Sequence, residues 1–185
     1  MSRIKLDKSI IFNTSAELAE EVGLENITLL QLSNKLGIKT PSLYNHVNGL
    51  KDIYIGLAQL GIEKLGDVVR NAAIGKSKDE AITTIAYEYR KFAKTCPELY
   101  KAIIKSPELG DIGIKEASHV PVQIMCKVLE GYKYNEEDAM HITRGLRSIM
   151  HGFVSLEAAG FFKAKLDREE SFKRLIEGFI LSIKK

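Results

Sequence analysis

The sequence predicts an all-α protein, with a small N-terminal three-helix domain followed by a larger C-terminal helical bundle, about nine helices together. Three observations predict it. Apolar residues recur at steps of three and four along most of the chain, prolines occur only at positions 41, 97, 107 and 121, and no Val/Ile/Thr-rich alternating segment is bounded by hairpin turns. Sheet has almost nowhere to form.

The first helix is expected over 7–22, where Ile11, Ser15, Leu18 and Val22 share a face with Phe12, Ala16 and Ala19, and Gly23 ends it. A second begins at Thr28, whose hydroxyl can cap it while Gln31 reaches back, and Leu29, Leu32 and Leu36 give its buried stripe up to Gly37. Thr40 is then a cap candidate with Pro41 at the first helical position, and Leu43 and Val47 are the inward pair of a very short third helix. A long helix follows Asn48-Gly49, with Ile53, Leu57 and Leu60 inside, and breaks at 74–78. The rest reads as helices near 79–95, 98–106, 111–131, 135–160 and 168–183, with Pro121 expected to bend or divide the helix around it. The expected domains are 1–54 and 55–185.

Composition excludes several classes. Apolar residues make up 45% of the chain, enough for a core without metals or disulfides. Cys96 and Cys126 lie 30 residues apart and form no short-range pair, which argues against a zinc pattern and fits a reducing cytoplasm. The polar N-terminal stretch lacks the apolar run of a signal peptide, and no segment approaches a membrane span, so a cytoplasmic protein without membrane contact is expected. Net charge is only +3, and residues 1–56 carry six basic and six acidic side chains. If DNA is the partner, Glu17, Glu20, Glu21 and Glu25 must point away from it.

The decisive segment is Thr28 to Tyr54, where a helix, a glycine turn and a second short helix match a helix-turn-helix, whose second helix enters a major groove. With Leu43 and Val47 inward, Lys39, Thr40, Ser42, Tyr44, Asn45 and His46 occupy the outer surface and ends of the short helix. Their hydroxyls, amide and phenol suit base edges and phosphates. A plain helical hairpin is the other reading of the spacing.

Ala16, Gly23, Thr28, Leu36-Gly37-Ile38, Leu43-Tyr44-Asn45-His46-Val47 and Asp52-Ile53 together resemble the helix-turn-helix of the TetR family of bacterial transcriptional regulators, over residues 7–54. The resemblance implies phosphate contacts from Thr28 and Tyr44, a base-facing set of Thr40, Pro41, Ser42 and Asn45, and a role for His46 in fixing the end of the recognition helix. Val47 replaces the family's usual aromatic but keeps an apolar plug. Leu50 stands where the family has a phosphate-binding lysine; Lys51 is adjacent, although a one-residue offset turns a helical side chain by about 100°.

In Arg144–Phe162, Gly145, Ser148, Gly152 and Ala159 place small residues along one side of a long helix, a stripe that permits close approach of another helix, in the core or at a subunit interface. Met150 to Glu157 also resembles the C-terminal domain of a TetR subgroup named for a Trp-His-Gly signature, of which only His151-Gly152 is present. The family implies a homodimer built by the last two long helices, reading a near-palindromic double-stranded DNA operator.

His119, His141 and His151 lack the spacing of metal ligands, and no acid–base or phosphate-binding constellation stands out, so neither metal nor cofactor nor catalysis is expected. The family resemblance implies a small-molecule effector pocket among the aromatic and Met residues of the middle helices, with Phe92, Tyr100, Met125 and Phe153 as its candidates. The expected function is a ligand-responsive repressor acting as a homodimer. The alternatives are a helical enzyme or ligand carrier, which would turn over or bind a small molecule, and an interaction adaptor that ignores duplex DNA.

Overall fold

A computed structural model describes residues 6–184, and every regular element among them is helical. The elements are α1 (Lys8–Val22), α2 (Leu29–Lys35), α3 (Thr40–Leu43), α4 (Leu50–Ala73), α5 (Lys78–Thr95), α6 (Pro97–Lys105), α7 (Ile112–Glu130), α8 (Glu136–Ala158) and α9 (Arg168–Ser182), with 3₁₀ turns at Leu24–Asn26 and Ser106–Leu109. Residues 1–5, where the stretch read above against a signal peptide begins, lie outside the described residues. The chain divides into two compact units, one of the residues up to Lys64 with Cys96–Ala117, the other of Leu65–Thr95 with Ser118–Lys185.

In the first unit, α1 starts where the Asp7 carboxylate accepts the Ile10 N–H at 2.8 Å, satisfying one of the orphan donors of a helix start. It stops at Gly23, whose φ of 88° suits a residue without a Cβ and whose N–H donates to the Ala19 carbonyl. Thr28 and Gln31 form the expected capping box on α2: Thr28 Oγ1 accepts the Gln31 N–H at 3.2 Å, and Gln31 Oε1 accepts the Thr28 N–H at 2.9 Å. Of the inward residues named from periodicity, Ile11, Leu18, Leu32, Leu43, Val47, Ile53 and Leu57 are buried, whereas Val22, Leu29, Leu36 and Leu60 are half-buried. Removing one such side chain to alanine typically costs about 2–5 kcal/mol.

α3 is shorter than its pattern suggests. Lys39 occupies the cap position, Thr40 and Pro41 open the helix, and residues 44–46 form a turn in which the His46 and Val47 N–H groups both return to the Leu43 carbonyl. Thr40 therefore does not cap α3; its hydroxyl is bonded to Ser33 instead.

Helix α6 joins the same unit through reciprocal bonds with α1. Glu20 accepts the Glu98 and Leu99 N–H groups at 3.1 and 3.3 Å, while Glu98 accepts the Leu24 N–H at 2.7 Å. Burial of Glu20 raises its pKa, against the lowering effect of those two backbone donors. Close packing completes the unit: a Cβ at Gly61 would stand 2.9 Å from Ile103 and 3.1 Å from the Leu99 carbonyl, so α4 and α6 meet backbone to side chain.

The second unit is built on the apolar faces of α5 (Ile82, Ile85, Tyr89, Phe92), α8 (Leu146, Met150, Phe153) and α9 (Phe172, Ile176, Ile180). The Asn135 side chain caps α8 by accepting the Asp138 N–H at 2.8 Å. Asp79 receives both the Tyr132 hydroxyl and, at 2.6 Å, the Lys184 ammonium, tying the start of α5 to the end of the chain. α7 runs from Ile112 to Glu130 with Pro121 inside it, so of the two effects expected of that proline, division of the helix does not occur. Proline removes a single ladder donor, and the turns on both sides hold the helix together across it.

Candidate nucleic-acid interface

The helix-turn-helix is assembled within the first unit. Leu43 is fully buried and Val47 is 2% exposed, so both anchor the recognition helix to the core beneath it. That orientation leaves Lys39, Pro41, Ser42, Tyr44 and Asn45 exposed, with Thr40 and His46 half-buried. Tyr44 stands out at 56% exposure, large for an aromatic ring that packing could otherwise have used. Ser42 offers a hydroxyl, Asn45 an amide with donor and acceptor side by side, and Tyr44 a phenol, which is the chemistry of groove and phosphate contacts.

Three predicted residues have their local bonding fixed by the fold. The Thr28 hydroxyl accepts the Gln31 N–H and also donates to Gln31 Oε1 at 2.7 Å, so its proton stays within the cap of α2. Thr40 Oγ1 lies 2.8 Å from Ser33 Oγ, linking α3 to α2. The His46 backbone closes the turn that ends the recognition segment. At the start of α4, Leu50 is half-buried and Lys51 exposed, so the ammonium group present on this surface belongs to Lys51.

Sequence reasoning missed Ser33 and the role of Asp52. Asp52 Oδ2 accepts both the Asn48 N–H and the Asn48 side-chain amide at 2.9 Å, pinning the loop that presents Lys51. The four-residue spacing of Asn48 and Asp52 is the local signal that could have found it.

The acids of the N-terminal segment are engaged inside the unit. Glu21 and Glu17 pair with Lys35 at 2.7 and 3.8 Å, Glu20 receives the start of α6, and Glu25 pairs with Lys105. Among the described residues, Lys39 and Lys51 have no carboxylate partner, so the surface around α3 keeps its positive charge.

The remaining predicted residues lie elsewhere. Phe92, Met125 and Phe153 are buried in the second unit and Tyr100 is buried in the first. Phe153 packs on Phe162 and Phe172, each with ring centroids 4.9 Å away. Gly145 faces α9, where a Cβ would touch Phe179 at 3.5 Å, whereas a Cβ on Gly152 would meet nothing within 4 Å. Ser148 is exposed on the same helix and donates to the Arg144 carbonyl at 2.8 Å. His151 is half-buried, and burial together with Arg147 lowers its pKa. Among the described residues, no group of three His, Cys, Asp or Glu is placed to hold a metal ion, and no helix is long and apolar enough to cross a membrane.

Residues 82–179 match a family described as Tetracyclin repressor-like, C-terminal domain. Over 182 residues the chain is 35% identical to the uncharacterized HTH-type transcriptional regulator YobS of Bacillus subtilis (strain 168), covering 96% of this chain and 93% of that one. It is 29% identical over 160 residues to the uncharacterized HTH-type transcriptional regulator Rv0681 of Mycobacterium tuberculosis (strain ATCC 25618 / H37Rv), covering 84% and 72% of the two chains. Its fold is shared with a solved structure of a protein with unknown function from Rhodococcus sp. RHA1, at a TM-score of 0.87 and 16% identity, covering 100% of this chain and 98% of that one.

Proposed function

The chain belongs to the tetracycline-repressor-like (TetR) family of DNA-binding transcriptional regulators, and from that premise we propose that it is a ligand-responsive repressor binding a near-palindromic operator as a homodimer. The observation that carries this reading is the recognition segment, in which buried Leu43 and Val47 turn Ser42, Tyr44 and Asn45 outward. Its action is binding, without a catalytic step. Base contacts fall to Thr40, Pro41, Ser42 and Asn45 and backbone contacts to Lys39, Tyr44 and Lys51, while Thr28, whose donors are both engaged by Gln31, holds the start of α2 and His46 fixes the end of the recognition helix.

Residues 1–54 form the DNA-binding part of this reading and 55–185 the dimerisation and effector-binding part. Dimerisation through α8 and α9 is supported by exposed Ser148 and Leu156 with half-buried Gly152 between them, spaced four apart along one side of α8, and by Leu181 on α9, which is 67% exposed. Closing such surfaces against a second copy gives a two-fold dimer whose recognition helices address successive major grooves. The finer assignment to the Trp-His-Gly subgroup is supported by His151-Gly152 of α8.

The effector reading rests on the buried Phe92, Met125 and Phe153 of the second unit; Tyr100 belongs to the core of the first. An effector lowers operator affinity only by its differential affinity for two dimer states. The working compartment is the cytoplasm, where the DNA is. The test is a footprint on the intergenic DNA beside the protein's own gene. Protection of a near-palindrome there, released by a small molecule, is the expected result; absence of any preference over scrambled duplex removes the reading.

A further inference from the structure

The bond between Ser33 and Thr40 decides which chemical groups the recognition helix can offer. Ser33 is 1% exposed. Its Oγ lies 2.9 Å from the Leu30 carbonyl oxygen and 2.8 Å from Thr40 Oγ1. A serine hydroxyl has a single proton, and a carbonyl has none to give. Both short contacts are hydrogen bonds only if Ser33 donates to Leu30 and Thr40 donates to Ser33. The opposite assignment sets two bare oxygens 2.9 Å apart where no water can relieve them.

Thr40's proton is thus committed inward, and the bond holds its χ1. What the side chain of this half-buried residue still has to offer is its γ-methyl group and the lone pairs of Oγ1, without a donor. Guanine N7 and O6, adenine N7 and thymine O4 all require a donor from the protein and are excluded. The amino groups of adenine N6 and cytosine N4 would take an Oγ1 lone pair, and replacing single thymines by deoxyuridine separates that contact from one to the methyl group. The thymine 5-methyl group requires only an apolar surface, and the exposed ring of Pro41 stands next to Thr40 to extend one. We propose that Thr40, positioned by Ser33, reads a thymine in each half-site through its 5-methyl group. The proposal rests on the DNA-binding reading above and names what one residue of that interface recognises.

The experiment begins with selection of the preferred duplex from a random pool by the full-length protein. Each thymine is then replaced in turn by deoxyuridine, which lacks only the methyl group. In the wild type, one thymine per half-site should lose about three- to sixfold in affinity on replacement. Thr40→Ser should abolish that difference, and Thr40→Val, which keeps the methyl surface, should preserve it. Ser33→Ala frees the Thr40 hydroxyl to turn, so it should lower the thymine preference more than it lowers affinity for scrambled duplex; a merely structural role for Ser33 lowers both alike. Should Ser33→Ala not fold, the two Thr40 variants still decide the matter. No thymine sensitive to replacement, or a sensitivity that survives in Thr40→Ser, overturns the methyl contact while leaving sequence-specific binding intact. No preference for any duplex overturns the DNA-binding reading itself.

Discussion

The Arg90 guanidinium meets the Glu157 carboxylate edge to edge, Nε to Oε2 at 2.9 Å and Nη2 to Oε1 at 2.6 Å, while its remaining nitrogen, Nη1, donates to Glu169 at 2.7 Å. The cation lies over the rings of Phe153 and Phe172, 5.2 and 4.9 Å from their centroids. Helix α5 is thereby fastened to the end of α8 and the first turn of α9 by a fork whose every arm is used.

Arg90→Ala should destabilise the protein by about 3–5 kcal/mol, because it leaves the buried Glu157 carboxylate with only the more distant Lys94, 3.8 Å away, rather than simply deleting a pair. Replacing Arg90 and Glu157 together by Met and Leu should cost clearly less than Arg90→Ala. Urea unfolding followed by circular dichroism checks the order of the two losses; equal losses would show that the stranded charge is not the cause.

The same pair sets an acid limit on stability. Arg90 holds the Glu157 carboxyl below its ordinary value of 4.5 despite burial. A carboxyl whose folded pKa is depressed contributes stability that is present above the unfolded value and is lost as pH falls through the folded one. The melting temperature should therefore fall on acidification below the ordinary glutamate range, and Glu157→Gln should flatten that fall. Parallel curves for the two proteins would assign the acid loss to other carboxylates.

Gly152 provides a probe of the proposed dimer. A Cβ there meets nothing within 4 Å of its own chain, so a loss of assembly in Gly152→Leu without loss of folded stability points to the partner surface. Crowding a close helix–helix approach costs about 1–3 kcal/mol, which should raise the dimer dissociation constant by roughly five- to 150-fold in sedimentation equilibrium. Gly145→Leu does not give this answer, because it meets Phe179 first. A wild type that stays monomeric at micromolar concentration, on and off DNA, would end the interface assignment.

Asn45 and Tyr44 should differ in what they cost. Asn45→Ala should lose about 1–3 kcal/mol on the preferred duplex and little on scrambled DNA, as expected for a base contact. Tyr44→Phe should weaken both by similar factors, since a phosphate contact carries no sequence. Neither should alter the salt dependence, whereas Lys51→Ala should make it shallower. Binding isotherms on both duplexes at several salt concentrations separate the three; an unchanged slope for Lys51→Ala would exclude it as a phosphate contact.

Local signals made the all-helical fold and the helix-turn-helix readable. Leu32, Leu43 and Val47 announce themselves by spacing, Thr28 and Gln31 by a capping pattern complete within four residues, and the breaks at Gly23 and 74–78 by composition. The unread features join residues far apart in sequence. Arg90 and Glu157 are separated by 67 positions, and Glu20 receives Leu99 across 79, so no window along the chain contains both partners. Ser33 and Thr40 are only seven apart, yet their bond depends on how α2 and α3 cross, which periodicity does not encode. An arginine within an amphipathic helix looks like a solvated charge until its carboxylates are found in space.

The pairing of Lys35 with Glu21 and Glu17 bears on how this regulator searches a genome. A cation already neutralised by its own protein releases fewer counterions from DNA, and the described surface around α3 is left with Lys39 and Lys51. Dwell times on random sequence should then be short and sliding tracts brief. Discrimination depends on the ratio of cognate to random affinity, so a weakly adhesive scaffold leaves the regulator mostly free in solution between visits. It reaches its few correct sites without being held by the rest of the chromosome.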